Sequence, residues 1–193
     1  MKVGIFGGSF NPIHIGHAII ASHVIQHSDL DQIWLMVAPL NPLKEPNAHN
    51  NDIDRLRMTE LVTRQIEGVE TSAFEFTLPI PSYTINTLHA LQDKLPQHEF
   101  SLIIGADNWA VFKKWKDWEE IIAHHDILIY PRLGYDVTIP EEYAQRVKLT
   151  DAPIIEISST QIREGLAKGE SMQFCVPHDV YKYIMANHLY QNE

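Results

Sequence analysis

Short runs of contiguous apolar residues alternate along the chain with longer stretches in which apolar positions return every three to four residues. The short runs, residues 2–6, 32–38, 71–76, 101–104, 127–130 and 154–157, are rich in β-branched or aromatic side chains and are bounded by Gly, Pro or Asp, so they predict strands. The longer stretches predict helices over residues 15–27, 52–67, 82–95, 117–124, 160–168 and 178–187. Residues 39–51, with three prolines, and residues 134–142 read as long loops. Regular alternation of strand and helix predicts an α/β fold: a doubly wound parallel sheet with helices on both faces, its strands joined by right-handed crossovers. Ligands of such folds sit beyond the carboxyl ends of the strands.

The 193 residues suit a single domain, and 45% hydrophobic against 21% charged residues describes a chain that can bury a core. One cysteine, Cys175, excludes an internal disulfide and any cysteine-rich metal site, which fits a reducing, cytoplasmic setting. The first residues break into glycine before a signal-peptide core could form, and no apolar run reaches the length of a membrane span. A net charge of −10 argues against a duplex nucleic-acid partner, which is held mainly by a basic surface. A homo-oligomer is left open, since periodicity does not separate a surface stripe from core.

The chemistry concentrates in Gly7-Gly8-Ser9-Phe10-Asn11-Pro12-Ile13-His14-Ile15-Gly16-His17, directly after the first strand and opening the first helix. Paired glycines allow a sharp turn and close backbone approach to a ligand, and a helix amino-terminus attracts anions, so this is a phosphate-binding layout. It has neither the Lys-Ser/Thr ending of the P-loop nor the G-x-G-x-x-G spacing of dinucleotide folds. His14 and His17 lie on neighbouring positions of one helical face and reach a common phosphate. His23 and His27 also share a face, but they lack a companion glutamate and a third ligand, so no protein metal site is expected there.

A second segment, Ile157-Ser158-Ser159-Thr160-Gln161-Ile162-Arg163, begins a helix with Ser158 as its N-cap; the hydroxyl-rich start with an arginine one turn in suits the β- and γ-phosphates of ATP. Gly105-Ala106-Asp107 follows a central strand, where Asp107 can accept a hydrogen bond from a sugar hydroxyl.

The His-Ile-Gly-His tetrad resembles the signature of the nucleotidyltransferases that share a Rossmann-like fold with class I aminoacyl-tRNA synthetases. Over essentially the whole chain the wider match resembles the bacterial nicotinate-nucleotide adenylyltransferases. The resemblance implies that the adenylyl group of ATP passes to nicotinate mononucleotide, giving nicotinate adenine dinucleotide and pyrophosphate in NAD biosynthesis. It implies an ATP site drawn from Gly7, Gly8, Ser9, Phe10, His14, His17, Lys44, Gly105, Asp107, Ser158, Ser159, Thr160 and Arg163. His14, His17, Lys44 and Arg163 act in catalysis, the first two on the α- and β-phosphates and the last two on the leaving pyrophosphate. Nicotinate mononucleotide falls to Ser82, Tyr83, Thr84, Asp107, Arg132 and Trp115, the last stacking on the pyridine ring.

The chain departs from the family pattern at several positions. Ser9 and Asn11 stand where Thr and Asp are commoner, Leu43 where a histidine precedes the loop lysine, Leu78 for an arginine and Lys116 for a tyrosine. Most of these changes surround the substrates, so they bear on acceptor choice more than on the type of reaction. The attacking 5′-phosphate is already an anion near neutral pH, with a second pKa of about 6, so in-line displacement needs no general base. Mg²⁺ is expected to arrive bound to ATP. Alternatives that keep the motifs are a relative using nicotinamide mononucleotide, phosphopantetheine or glycerol phosphate as acceptor, and a non-catalytic nucleotide sensor.

Overall fold

The computed structural model describes residues 1–39 and 52–191. Its strands are β1 (Lys2–Gly8), β2 (Gln32–Val37), β3 (Val69–Ser72), β4 (Glu99–Gly105), β5 (Ile127–Tyr130) and β6 (Val147–Leu149). They form one sheet in the order β3-β2-β1-β4-β5-β6, with every adjacent pair parallel. This is the Rossmann strand order, which reverses direction of travel between β1 and β4. The helices are α1 (Ile15–His27), α2 (Asp52–Thr63), α3 (Thr84–Lys94), α4 (Ala106–Ala110), α5 (Trp118–His124), α6 (Ser159–Ala167) and α7 (His178–Ala186).

Strand side chains alternate between two apolar layers, as the period of two requires. Phe6, Ile33, Leu35, Ile103 and Leu128 point to one layer, where α1, α2, α6 and α7 contribute Ile20, Val24, Met58, Val62, Ile162, Val180 and Ile184. Val3, Ile5, Leu102, Ile104, Ile127 and Ile129 point to the other, filled by Ile85, Leu88 and Leu91 of α3 and Ile121 and Ile122 of α5. Central strands buried on both faces account for the nearly unbroken apolar runs in the sequence. The edge strands β3 and β6 are short and carry Glu70 and Lys148, which discourages pairing with another chain.

Two expected strands move. The run at 71–76 is strand only as far as Ser72; its hydroxyl accepts the Phe74 N–H at 3.3 Å, and Phe74–Thr77 winds into a 3-10 turn. Residues 154–157 are not a strand, because the sheet edge beside β5 is already occupied by β6. Ile155 and Ile157 instead line a small hollow with His14 and Gly16 at the start of α1. The crossover from β5 to β6 carries no α-helix, only the 3-10 turn Glu141–Tyr143. The helix expected over 52–67 ends at Thr63, and short α4, right after β4, was not foreseen. The expected loop over 39–51 lies, apart from Pro39, outside the described residues.

The sheet also makes the site. β1 pairs with β4 from Lys2↔Glu99 to Ile5↔Leu102, yet it stays beside β2 as far as Gly8↔Val37. Beyond Ile5 the two halves of the sheet part, and a crevice opens at the carboxyl ends where the strand order reverses. Below this point Gly4 leaves room for two side-chain tips of the core: a Cβ there would come within 2.6 Å of Leu30 Cδ1 and 2.7 Å of Ile103 Cδ1, so both would have to shift. Gly4→Val is expected to overpack this layer and to cost about 1–3 kcal/mol, read as a lowered urea midpoint.

Candidate active site

The loop from β1 to α1 is held by its oxygens. Arg55, fully buried on α2, donates from one Nη1 to Ser9 O at 2.5 Å and to Ala38 O at 2.7 Å, while its Nη2 bonds Asp52 at 2.5 Å. Arg163 on α6 donates to Asn11 O at 2.7 Å, Ser159 to Pro12 O at 2.9 Å, and Tyr190 to Asn11 Oδ1 at 2.5 Å. Burial raises the Tyr190 phenol far above its usual range, so it remains a donor. Four side chains from three distant segments therefore fix one short loop. Within it Phe10 adopts a left-handed backbone, φ 44°, and sinks into the core. A Cβ at Gly8 would meet the Phe10 ring at 3.0 Å, so glycine at 8 is what lets that ring in.

Phe10 in turn supports His17, their rings edge to face with centroids 5.0 Å apart, and Phe6 stands 6.1 Å away. His14 is the N-cap of α1, and its ring stacks on His17 at 3.7 Å. His17 Nδ1 accepts the His14 backbone N–H at 3.3 Å, which places the proton of a neutral His17 on Nε2. Burial, followed by the nearby Arg132 charge, lowers His14 to about 4. Burial first, then His14 and Arg132, holds His17 well below the ordinary imidazole value. Both rings are thus neutral at pH 7, and an arriving phosphate would favour their charged forms.

α6 brings its amino-terminus alongside. Ser158 is its N-cap, accepting the Gln161 N–H at 3.2 Å, and Thr160 accepts from Arg163 Nη2 at 3.3 Å. Since Ser159 and Arg163 bond the loop that leads into α1, the starts of α1 and α6 converge, a placement suited to a polyanion. Lys44 lies outside the described residues.

On the crevice side a cavity of about 410 Å³ is lined by Gly7 and Gly8 of β1, Gly105 of β4, Ser82 and Thr84 at the start of α3, and Trp115. Trp109 and Trp118 instead pack around Phe112. Tyr83 turns outward, 46% exposed, with Lys116 Nζ 5.1 Å from its ring centre. Asp107 and Arg132 do not line the cavity. They pair with each other, Nε to Oδ1 at 3.3 Å, and Arg132 bonds the Tyr130 hydroxyl at 3.2 Å. Arg132 stands in a small hollow with His14, Gly16 and His17. Tyr130 lines both spaces and so joins the histidine pair to the cavity.

Several contributors escaped the sequence reading, among them Tyr190, whose bond to Asn11 no local pattern shows. Arg55 occupies a buried position in step with Met58 and Val62 on α2, and a charge in an apolar stripe was the available signal. Glu75 and Asn108 line the cavity, but neither stands in a recognisable motif.

A Rossmann-ordered sheet with paired histidines at a helix start beside the crevice defines a nucleotidyltransferase. Residues 5–165 match the cytidylyltransferase-like family, and the chain belongs to it, among its nicotinate-nucleotide adenylyltransferases. It is 47% identical, over 99% of its length and 100% of theirs, to a Flavobacterium psychrophilum protein named "Probable nicotinate-nucleotide adenylyltransferase". A protein of the same name from Bacteroides fragilis is 45% identical over 95% of this chain and 91% of its own. Among solved structures, nicotinic acid mononucleotide adenylyltransferase of Plasmodium falciparum, complexed with NaAD, superposes with a TM-score of 0.77. That match spans 98% of this chain and 97% of the other at 18% identity, a likeness of fold. Among the described residues no helix is long and apolar enough to cross a membrane, and no group of three or more His, Cys, Asp or Glu could hold a metal ion.

Two outcomes follow from the anchors and the buried imidazoles. Arg55→Met leaves Ser9 O and Ala38 O without donors; it should cost about 3 kcal/mol in chemical denaturation and weaken ATP binding, whereas Arg57→Met, on the exposed face, should change neither. For His14, a folded value of about 4 lies below the unfolded 6.5, so the unfolded chain takes up the proton first as pH falls. Stability from keeping this ring neutral is complete above about pH 6.5 and is lost towards pH 4, by up to about 3 kcal/mol. His14→Asn should flatten that part of the melting-temperature profile; an unchanged profile would show that His14 is not held neutral.

Proposed function

We propose that this chain transfers the adenylyl group of ATP to nicotinate mononucleotide, releasing pyrophosphate. The observation that carries the reading is the convergence of the α1 and α6 starts, with His14 and His17 stacked at the start of α1, beside a cavity lined by Ser82, Thr84 and Trp115. The names of the relatives supply the acceptor.

In this reading the triphosphate lies across the two helix starts. The Nε2–H of His17 points to the phosphate being transferred, and Arg163, already oriented by Asn11 and Thr160, faces the leaving pyrophosphate with Lys44. Ser9, Ser158, Ser159 and Thr160 supply further polar groups around the phosphates, and Mg²⁺ enters with ATP. The acceptor occupies the cavity with its ring near Trp115 and its 5′-phosphate directed past Tyr130 towards the histidines. Asp107 and Arg132, paired in the free protein, part to meet the sugar hydroxyls and the acceptor phosphate.

The nucleophile needs no base, so the protein's work is to bring two polyanions together and to spread the charge that builds on the reacting phosphate. Neutral imidazoles serve this well: they donate hydrogen bonds to the ground state and can gain positive charge as the phosphate oxygens become more negative.

His17→Ala, folded as judged by its melting temperature, is expected to lower kcat for pyrophosphate release about 10²–10³-fold, with less change in KM. The assay runs Mg-ATP with nicotinate mononucleotide, nicotinamide mononucleotide or phosphopantetheine in parallel. ATP binding without pyrophosphate release from any of them would make the protein a nucleotide sensor and overturn the reading.

A further inference from the structure

Glu75 sits on the 3-10 turn after β3 and is the only charged side chain that lines the 410 Å³ cavity among the described residues. Its neighbours there are apolar or neutral, among them Ile80, Leu88, Ile104, Trp115 and the hydroxyls of Ser82 and Thr87. Glu75 Oε1 accepts from Thr87 Oγ1 at 2.9 Å, and Oε2 accepts from Ser82 Oγ at 3.4 Å. The Thr87 hydroxyl also lies 3.4 Å from the Tyr83 carbonyl, but Glu75 is the nearer acceptor, so both hydroxyl protons are directed at the carboxylate. A hydroxyl has one proton to give, so while Glu75 is ionised Ser82 and Thr87 can offer a ligand only lone pairs. Such a surface matches an amide NH₂ and repels a carboxylate.

The cations of the packed elements are engaged elsewhere. Lys94 of α3 lies over the Phe74 ring, Lys116 over Tyr83, and Arg55 of α2 near Phe76 and on its loop carbonyls. Burial pushes the Glu75 carboxyl above the usual carboxylate range, and the Thr87 and Ser82 hydrogen bonds oppose this; no charged neighbour among the described residues contributes.

Resting on the proposed adenylyltransferase reading, we propose that Glu75 governs the choice between a carboxylate-bearing and a carboxamide-bearing pyridine nucleotide. Ionised, it turns the Ser82 and Thr87 hydroxyls into acceptors and favours the carboxamide. Protonated, its own O–H becomes a donor, a hydroxyl proton is released to the ligand, and the carboxylate of nicotinate mononucleotide is admitted. The acidic acceptor thus binds together with one proton that stays on Glu75, and the amide acceptor binds without it. This residue orients other groups and sets charge; it takes no part in bond making.

The test is the ratio of kcat/KM for nicotinate mononucleotide to that for nicotinamide mononucleotide, by pyrophosphate release with Mg-ATP from about pH 5.5 to 8.5. ATP, the histidine pair and the acceptor 5′-phosphate titrate alike in both reactions, so the ratio isolates the group that senses the ring substituent. In the wild-type protein the ratio should fall about tenfold or more as pH rises. In Glu75→Gln it should be flat and, at pH 8, higher than in wild type. Ratios that are the same in both proteins at every pH, with both activities reduced together, would leave Glu75 a structural tie and overturn the proposal.

A second measurement needs no variant. Calorimetry of the wild-type protein in two buffers of different protonation heat should show greater proton uptake with nicotinate than with nicotinamide mononucleotide at pH 7, and equal uptake would overturn the proposal. If both nucleotides bind but neither yields pyrophosphate, the adenylyltransferase reading fails while this comparison still decides the role of Glu75.

Discussion

A glycine-rich turn is a floppy object, and here it becomes a rigid one because a buried guanidinium holds its oxygens. Arg55 joins Ser9 O, at the start of the phosphate loop, to Ala38 O, at the end of the neighbouring strand β2. A buried arginine is expensive unless it is paired, and that expense gives the arrangement its specificity: the charge is tolerable only if Asp52 and the two carbonyls come to it. Arg163, Ser159 and Tyr190 repeat the logic from the other side. Phe10 can then take its left-handed backbone and sink into the core, His17 can lean on Phe10, and His14 can stack on His17.

The same burial that positions the histidines keeps them neutral. Among the described residues, Arg132 is the permanent charge that bears on both rings, and in the proposed reading the triphosphate supplies the field that brings the imidazoles to their charged form. Asp107 plays the matching part for Arg132, holding it at 3.3 Å in the free protein. The site is poised for anions without being crowded by like charges. Glu75 extends the principle to the acceptor cavity, where one carboxyl decides what the surrounding hydroxyls present.

Much of this was legible in the chain. α1 falls where the apolar period and the Gly-Gly turn place it, because local pattern and tertiary packing agree there, and the two phosphate motifs stand out by residue type alone. What escaped did so for identifiable reasons. The run 154–157 has strand-forming side chains, but pairing is a tertiary matter, and the edge went instead to the weakly patterned Val147–Leu149. α4 is too short for a period to show. Arg55 belongs to no motif; only its place in the apolar stripe with Met58 and Val62 marks it, and its partners are backbone oxygens that no side-chain pattern reveals. Glu75 matters through two hydroxyls reached across a turn, and Tyr190 through a contact with Asn11 that spans nearly the whole chain.

The central claim is that an anchored loop holds two neutral imidazoles which take on charge only when phosphate arrives. It is tested most directly by ¹⁵N NMR of the ring nitrogens of His14 and His17 at pH 7, with and without a non-hydrolysable ATP analogue and Mg²⁺. The account predicts neutral rings in the free protein, with the His17 proton on Nε2, and a shift of both towards the protonated form on binding. Rings already charged in the free protein, or unchanged by the analogue, would contradict it.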